Sequence, residues 1–167
     1  MKAVPFRLKP VPLKQTHCQC ISIVDNMMRY LIAVLALAGV VVSGLALQVH
    51  YSTGTEPCSI NEHWDCGVVN HSPFAVIGPV PVAAIGIAGY LLLAALALLG
   101  WRFTLMVVAF AALCFALRLT FIEEFDLGVW CLSCVISQGI IALIMLLSVG
   151  WLGAEHVALK RAAKRLV

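Results

Sequence analysis

Residues 82–121 read VAAIGIAGYLLLAALALLGWRFTLMVVAFAALCFALRLTF, which is two long apolar runs separated by a short turn at residues 100–102. A helix needs roughly 20 apolar residues to cross the hydrocarbon core of a bilayer, and each run approaches that length. A turn of so few residues forces the two helices to run antiparallel. This stretch therefore predicts a transmembrane helical hairpin.

Two further apolar runs flank the hairpin, at residues 30–49 and 132–151. The chain has 167 residues, of which 62% are hydrophobic and 11% charged, which excludes an ordinary soluble domain. Backbone polar groups in lipid must be satisfied within each span, so the spans are helical. We predict an all-α membrane protein whose four transmembrane helices form a bundle within residues 28–152.

The two ends of the chain are predicted to be tails. Residues 1–27 contain prolines and scattered basic residues, and we expect a disordered cytoplasmic tail there. Met27 and Met28 would also suit a natural start, in which case the preceding residues are an over-extended gene start. Residues 153–167 are predicted to form a basic cytoplasmic tail.

The basic residues predict the orientation of the bundle. Of the eleven Lys and Arg residues, all but Arg118 precede the first span, lie in the turn between spans two and three, or follow span four: Lys2, Arg7, Lys9, Lys14, Arg29, Arg102, Lys160, Arg161, Lys164 and Arg165. Residues 50–81 contain neither Lys nor Arg. Both termini are therefore predicted to be cytoplasmic, and the loop to face an oxidising compartment. Because topology explains the net charge of +3, we expect no nucleic-acid partner.

The loop between spans one and two is too long for a simple link. Its second half, GVVNHSPFAVIGPVP at residues 67–81, is apolar and interrupted by prolines. We predict an outward-facing loop with a short helix that caps the bundle at the membrane surface, anchored by Trp64 and Phe74. Phe74, Val76 and Ile77 are expected to form the roof of a site beneath this cap.

Four cysteines are the candidate reactive groups. Cys58 and Cys66 lie in the long loop, and Cys131 and Cys134 form a C-L-S-C motif where span four begins. A helix N-terminus stabilises an anion, and a C-x-x-C there lowers the thiolate pKa of its first cysteine. A flexible loop dithiol can exchange with a second dithiol below it. The four residues predict a relay that carries electrons from a protein outside the membrane to an acceptor within it.

A metal site is the alternative. Cys58, His63, Cys66, Cys131 and Cys134 offer ligands that suit zinc or a soft metal, and small membrane carriers of such metals use cysteine pairs. The spans contain no further ligands leading inward, and the loop spacing is wide for a zinc site. We therefore predict no metal ligand, and leave metal binding or transport, and two purely structural disulfides, as alternatives.

One pattern in the chain resembles the vitamin K epoxide reductase family. The pattern covers about residues 28–152 and consists of Cys58-x7-Cys66, Ser72, Gly78-Pro79-x-Pro81, Gly86, Tyr90 and Cys131-x-x-Cys134. The resemblance implies a four-helix bundle around a quinone of the ubiquinone, menaquinone or vitamin K type. It also implies a thioredoxin-fold partner, whose electrons the loop cysteines collect and deliver to the C-x-x-C.

Carried over residue by residue, the resemblance assigns a role to each cysteine. Cys58 is the outer shuttle cysteine that forms a mixed disulfide with the partner, Cys66 exchanges with Cys131, and Cys134 faces the quinone. Ser72 matches the serine at the end of the family's capping helix, near the site.

Gln138 lies one helical turn beyond Cys134 and could donate a hydrogen bond to a quinone oxygen. The quinone site is thus predicted to include Ser72, Phe74 and Gln138.

Two positions bear on the branch of the family. Where the animal enzymes place an asparagine and a tyrosine near the quinone head group, this chain has Val82 and Gln138. This difference favours the bacterial branch, which generates disulfides outside the cytoplasm from the inner membrane. The chain stops at Val167 without a thioredoxin domain, so the partner is expected to be a separate protein.

Overall fold

The computed structural model describes residues 13–52, 61 and 63–164. Within them the chain forms five helices: α1 (Leu13–Tyr51), α2 (Cys66–His71), α3 (Val82–Leu99), α4 (Arg102–Ile122) and α5 (Leu132–Lys164). The four longer helices contain segments long and apolar enough to cross a membrane. The prediction of a multi-pass, four-helix membrane bundle is confirmed.

Two helices extend beyond their apolar segments. α1 begins at Leu13, so the expectation of a disordered tail is wrong from that residue onward. Residues 13–29 contain no glycine or proline to interrupt the helix, and Pro12 directly precedes them. α5 continues to Lys164 through residues rich in alanine, leucine and lysine, which are good helix formers.

The bundle is held together by small residues where α1 meets α3. A Cβ atom on Gly86 would lie 2.9 Å from the Ser43 hydroxyl oxygen. A Cβ on Gly39 would lie 2.4 Å from the ring of Tyr90, so only glycine leaves room for that ring. Close approach of this kind is how helices associate in lipid, where the hydrophobic effect does not drive them together.

The remaining core is built from aliphatic side chains. Ile32, Leu105 and Ile144 are fully buried where α1, α4 and α5 converge. Large apolar side chains such as Leu91 and Phe103 are instead exposed on the outside of the bundle. An apolar outer surface fits a protein whose surroundings are lipid.

A polar cluster joins three helices at the end of the bundle that carries the chain termini. Asp25 on α1 forms an ion pair with Arg29 at 2.8 Å, forms a second with Arg102 at the start of α4, and accepts a hydrogen bond from the Trp151 indole at 3.0 Å. The Arg102 guanidinium carbon lies 4.9 Å from the centre of the Trp151 ring. Ionic groups of this kind in membrane proteins commonly pair with one another.

The opposite end of the bundle, here called the thiol end, is covered by the loop. α2 is followed by a 3-10 turn at Pro73–Ala75 and a hairpin in which β1 (Val76–Ile77) pairs antiparallel with β2 (Val80–Pro81). Gly78 turns this hairpin with a φ of 62°, a value that glycine adopts without strain. The predicted short capping helix between the first two spans is therefore present as α2.

Candidate active site

A short backbone pairing brings the loop to the start of α5. The Asp65 N–H donates to the Trp130 carbonyl at 3.1 Å, and the Trp130 N–H donates to the His63 carbonyl at 2.8 Å. The indole rings of Trp64 and Trp130 lie 6.1 Å apart above this pairing. Cys66 and Cys131 are the next residues of the two paired segments, so the pairing places them side by side.

Cys66 opens α2 and is held in place by the residue before it. The Asp65 carboxylate accepts hydrogen bonds from the N–H groups of Gly67 at 2.8 Å and Val68 at 3.1 Å, which caps the helix. Cys66 is fully buried and forms a disulfide. Cys58, its predicted companion in the loop, lies outside the described residues.

The C-x-x-C thiols are both free. Cys131 is fully buried, and its sulfur lies 3.0 Å from the Ser133 hydroxyl and 3.7 Å from the side-chain nitrogen of Asn70. Asn70 also donates to the Cys66 carbonyl at 2.8 Å, and the Ser133 hydroxyl lies 4.0 Å from the Cys66 sulfur. Asn70 and Ser133 thus connect Cys66 to Cys131.

Cys131 is the more acidic thiol expected of the first cysteine in such a motif. A hydrogen bond from the Cys134 thiol lowers the pKa of Cys131 from an ordinary 9.0 to about 7. The Ser133 hydroxyl and the Cys134 backbone also lower this pKa, while burial and the negative charge of Glu123 raise it. Hydrogen bonding therefore outweighs burial, and an appreciable share of Cys131 is thiolate near neutral pH.

Glu123 is the only one of three neighbouring acidic residues that turns inward. Residues Glu123–Leu127 continue α4 as a π-helical turn, which ends at Gly128 with a φ of 66°. Glu124 and Asp126 are exposed, whereas Glu123 is 3% exposed. A Glu123 carboxylate oxygen accepts a hydrogen bond from the Cys131 N–H at 3.2 Å, and one carboxylate oxygen and the Cys131 and Cys134 sulfurs all lie within 4.8 Å of one another.

A cavity of about 330 Å³ lies below these groups, inside the bundle. Its wall is mostly apolar side chains of α1, α3 and α4, and the cap contributes Val69, Asn70, Ser72 and Phe74. The polar groups that face it include Cys134, Glu123, Tyr90 and Ser137. The Tyr90 hydroxyl is 2.8 Å from the Ser137 hydroxyl, and also donates to the Ser137 carbonyl at 2.8 Å.

The chain matches the vitamin K epoxide reductase family over residues 30–149, which spans α3, α4 and nearly all of the site described above. The chain belongs to this family. A comparison with curated proteins finds no match. Family membership makes the chain a membrane thiol–disulfide oxidoreductase, and it agrees with the resemblance carried by the cysteine pattern.

The structure brings most of the predicted site residues of this vitamin K epoxide reductase family member to one place. Cys134, Ser72 and Phe74 line the cavity, and Cys131 and Cys66 lie just above it. The Ser72 hydroxyl donates to the Val69 carbonyl at 2.8 Å and so also terminates α2.

Three other residues are placed differently from the expectation. Gln138 accepts a hydrogen bond from the Thr120 hydroxyl and is not part of the cavity wall. Val76 and Ile77 do not line the cavity, so Phe74 is the one residue of the expected roof that reaches it.

Three residues around the cysteines were missed at the sequence level: Asn70, Ser133 and Glu123. Ser133 lies between the two cysteines of the C-x-x-C, so a contact of its hydroxyl with one of the thiols could have been predicted from the sequence. Asn70 lies one helical turn after Cys66, which also could have been noticed. Glu123 could not be told from Glu124 by sequence, because the π-helical turn decides which of them points inward.

The alternative of a metal site gains limited support. Among the described residues, Glu123, Cys131 and Cys134 are close enough to share an ion. His63 does not join this group. Structural zinc sites use four protein ligands, so the three residues fall short of such a site.

The acidity of Cys131 gives a testable pH dependence. With the C-x-x-C reduced, we expect the rate at which a small neutral thiol reagent labels Cys131 to rise with pH and reach half its maximum near the pKa of about 7. The thiolate reacts and the thiol does not, so labelling is slow below this pH. Labelling is measured by mass spectrometry.

Ser133→Ala is the matched variant for this measurement. It removes one hydroxyl that stabilises the thiolate, so its half-maximal pH should be higher than that of the wild type. A wild-type midpoint at the ordinary cysteine pKa of 9.0 would show that these hydrogen bonds do not act on Cys131.

Proposed function

We propose that this protein oxidises a thioredoxin-fold partner and passes its electrons to a quinone, generating disulfides outside the cytoplasm. The observation that carries the proposal is the position of the C-x-x-C. It lies between disulfide-bonded Cys66 on one side and an apolar cavity on the other. Cys131 lies next to Cys66, and Cys134 lines the cavity. This dithiol can therefore receive electrons from the loop and deliver them into the membrane.

The loop cysteines perform the first exchange in this proposal. The partner dithiol reduces the Cys58–Cys66 pair through a mixed disulfide at Cys58, and the partner is oxidised. The Cys66 thiolate then attacks the Cys131 sulfur of the Cys131–Cys134 disulfide, and Cys58 resolves the resulting bond. Two electrons move inward at each exchange, and the loop disulfide forms again as the C-x-x-C becomes reduced.

The described redox state fits one step of this sequence. Cys66 is in a disulfide and both C-x-x-C thiols are free. These are the states that follow transfer of electrons to the inner pair. The next step requires an oxidant on the side of Cys134, where the cavity lies.

The cavity has the properties of a quinone site. Its volume of about 330 Å³ falls in the lower part of the range for small-molecule pockets, and its wall is largely apolar with a few polar groups. A Cβ on Gly89 would meet nothing within 4 Å, so this cavity residue leaves open space. A bound quinone supplies an acceptor for two electrons and two protons.

Several side chains would hold the head group. The Tyr90, Ser137 and Ser72 hydroxyls face the cavity, and each could donate to a quinone carbonyl oxygen once its single proton turns away from its present acceptor. Phe74 supplies an apolar wall next to the cap. Gln138 is bonded to Thr120 and would need another rotamer to join them.

The charge distribution supports the orientation that we propose for the bundle in a bacterial inner membrane. Arg29 and Arg102 lie at the end of the bundle opposite the thiol end. Lys160 and Lys164 lie on the same side, in the part of α5 that continues beyond its apolar segment. Glu124 and Asp126 lie at the thiol end. Positive residues favour the cytoplasmic side, so we propose that the cysteines face the periplasm or exterior.

One experiment tests the proposed function directly. Purified protein in detergent is mixed with a reduced thioredoxin-fold protein and either ubiquinone or menaquinone, while free thiols and quinone absorbance are followed. We expect loss of two thiols for each quinone reduced. Stoichiometric bound metal together with no quinone-dependent thiol oxidation would instead support the metal-binding alternative.

Filling the cavity should weaken quinone use without weakening the fold. Gly89→Leu places a side chain into the open space of the cavity, and leucine is the better helix former. We expect the KM for quinone to rise about tenfold, which corresponds to about 1.4 kcal/mol of lost binding. The measurement is the quinone dependence of thiol oxidation.

The matched control is Gly139→Leu. Gly139 is exposed on α5, and a Cβ there also meets nothing within 4 Å, but it does not face the cavity. This variant should keep the wild-type KM. Equal KM values in both variants would place the quinone elsewhere.

A further inference from the structure

We propose that Glu123 is the proton carrier of the C-x-x-C: its carboxylate takes the proton of Cys134 as the disulfide forms and passes it into the cavity. This inference rests on the proposed function. Oxidation of the Cys131–Cys134 dithiol forms one S–S bond and releases two electrons and two protons: the Cys131 proton leaves when that thiol ionises, and the Cys134 proton passes to Glu123. A quinone takes up two electrons and two protons, of which Glu123 supplies one and water the other. The site therefore needs a route for protons as well as for electrons.

The first argument is the depth of the carboxyl group. Glu123 is 3% exposed and stands within the candidate span Arg102–Leu127, whereas the next residue, Glu124, is exposed. Ionisable residues buried in membrane proteins are costly and frequently mark proton paths. A glutamate that served only to place negative charge outside the membrane would not need to be buried.

The second argument is contact with the reacting atoms. A Glu123 carboxylate oxygen lies within 4.8 Å of both the Cys131 and the Cys134 sulfurs, so the Cys134 thiol can turn its single proton from Cys131 to Glu123. The same side chain faces the cavity that Cys134 faces. A single carboxyl group is thus next to the proton source and next to the proposed acceptor. General acid–base groups must lie within this kind of reach of the proton they transfer.

The third argument is how firmly the carboxyl group is placed. The Glu123 carbonyl accepts hydrogen bonds from Val129 at 3.3 Å and from Gly128, which fixes the π-helical turn. Its side chain accepts the Cys131 N–H at 3.2 Å, one of the amides that the start of α5 leaves without a helical partner. π-Helical turns are frequent at functional sites because they redirect a side chain.

The contact with the Cys131 N–H also offers a purely structural explanation, and one substitution separates the two. Glu123→Gln keeps a side-chain oxygen that can accept from the Cys131 N–H, but the amide cannot take up a proton. A structural role survives this change, whereas proton transfer does not. Glu124→Gln is the matched control, because Glu124 is exposed and bonds only with the Trp130 indole among the hydrogen bonds described for its side chain.

The experiment combines turnover with a measurement that needs no quinone. Turnover is the quinone-dependent oxidation of a dithiol. Glu123→Gln should lower it by about 10²-fold, within the range for loss of a general acid or base, while Glu124→Gln stays at wild type. Glu123→Asp keeps a carboxyl group and should recover part of the loss. Thermal stability in detergent is measured for each variant.

The second measurement is the infrared difference spectrum between reduced and oxidised C-x-x-C. Ferricyanide is the oxidant, because it accepts electrons and no protons. We expect a protonated-carboxyl band to appear on oxidation in the wild type and in Glu124→Gln. The band should be missing in Glu123→Gln.

The outcomes separate this inference from the proposed function. If the wild type reduces quinone and Glu123→Gln does so equally fast, Glu123 is not the carrier and the proposed function stands. If the carboxyl band does not appear in the wild type, the inference is also wrong, and this holds even if Glu123→Gln fails to fold. If the wild type does not reduce quinone at all, the proposed function is overturned and the transfer into the cavity falls with it.

Discussion

Cys134→Ser should abolish quinone-dependent thiol oxidation, lowering it by roughly 10³-fold or more, because serine can neither form a disulfide nor supply electrons. Cys134 is the thiol of the C-x-x-C that faces the cavity. The variant should also accumulate a Cys66–Cys131 disulfide. The Cys131 thiolate can attack the loop disulfide at Cys66 and release Cys58. No Cys134 thiol remains to resolve the bond from the inner side, so only return attack by Cys58 can break it.

Two measurements check this result. Turnover is followed by quinone absorbance, and the trapped bond is identified by mass spectrometry of protease fragments under non-reducing conditions. Cys114→Ser is the matched control, since Cys114 is a free, exposed cysteine on α4 away from the site, and it should behave as wild type. Appreciable turnover in Cys134→Ser would mean that electrons leave the protein from another group.

The sequence predicts the bundle well because hydropathy reports it directly. Each span is a long apolar run, and lipid permits only helical backbone in such a run. The sequence also indicates helix contacts at Gly39 and Gly86, because small residues let transmembrane helices approach closely. The extension of α1 to Leu13 was missed because many of its added residues are polar. Hydropathy detects the apolar part of a helix and does not detect a continuation of that helix outside the membrane.

The site is harder to predict because its contacts are not local. The nearness of Cys66 and Cys131 was expected from their roles in the family. The backbone pairing between Asp65 and Trp130 that produces it is too short to leave a periodic pattern. The ion pair of Asp25 with Arg102 likewise joins residues far apart in sequence. Such contacts depend on how the helices pack, which no single stretch of sequence encodes.

The relay order has the second large expected effect. Cys58→Ser should abolish oxidation of the thioredoxin-fold partner, by roughly 10³-fold or more, since the mixed disulfide with the partner forms there in the proposed mechanism. Quinone reduction driven by a small dithiol should remain partly intact. A small dithiol can reduce the Cys131–Cys134 disulfide without the loop, although burial of Cys131 slows its access.

Cys66→Ser should give the same split between the two activities, for a different reason. It leaves Cys58 able to meet the partner but removes the sulfur that lies beside Cys131, so the loop no longer has a disulfide that can accept electrons. The two variants are distinguished by adding oxidised partner. In Cys66→Ser the Cys58 thiolate should attack the partner disulfide, form a mixed disulfide and release the second partner thiol, whereas Cys58→Ser should form none there. Ser59→Ala, in the same loop, is the control and should keep both activities. Equal loss of partner-driven and small-dithiol-driven turnover in Cys58→Ser would contradict a shuttle role for the loop, because the inner pair would then depend on Cys58 for a reason other than electron delivery.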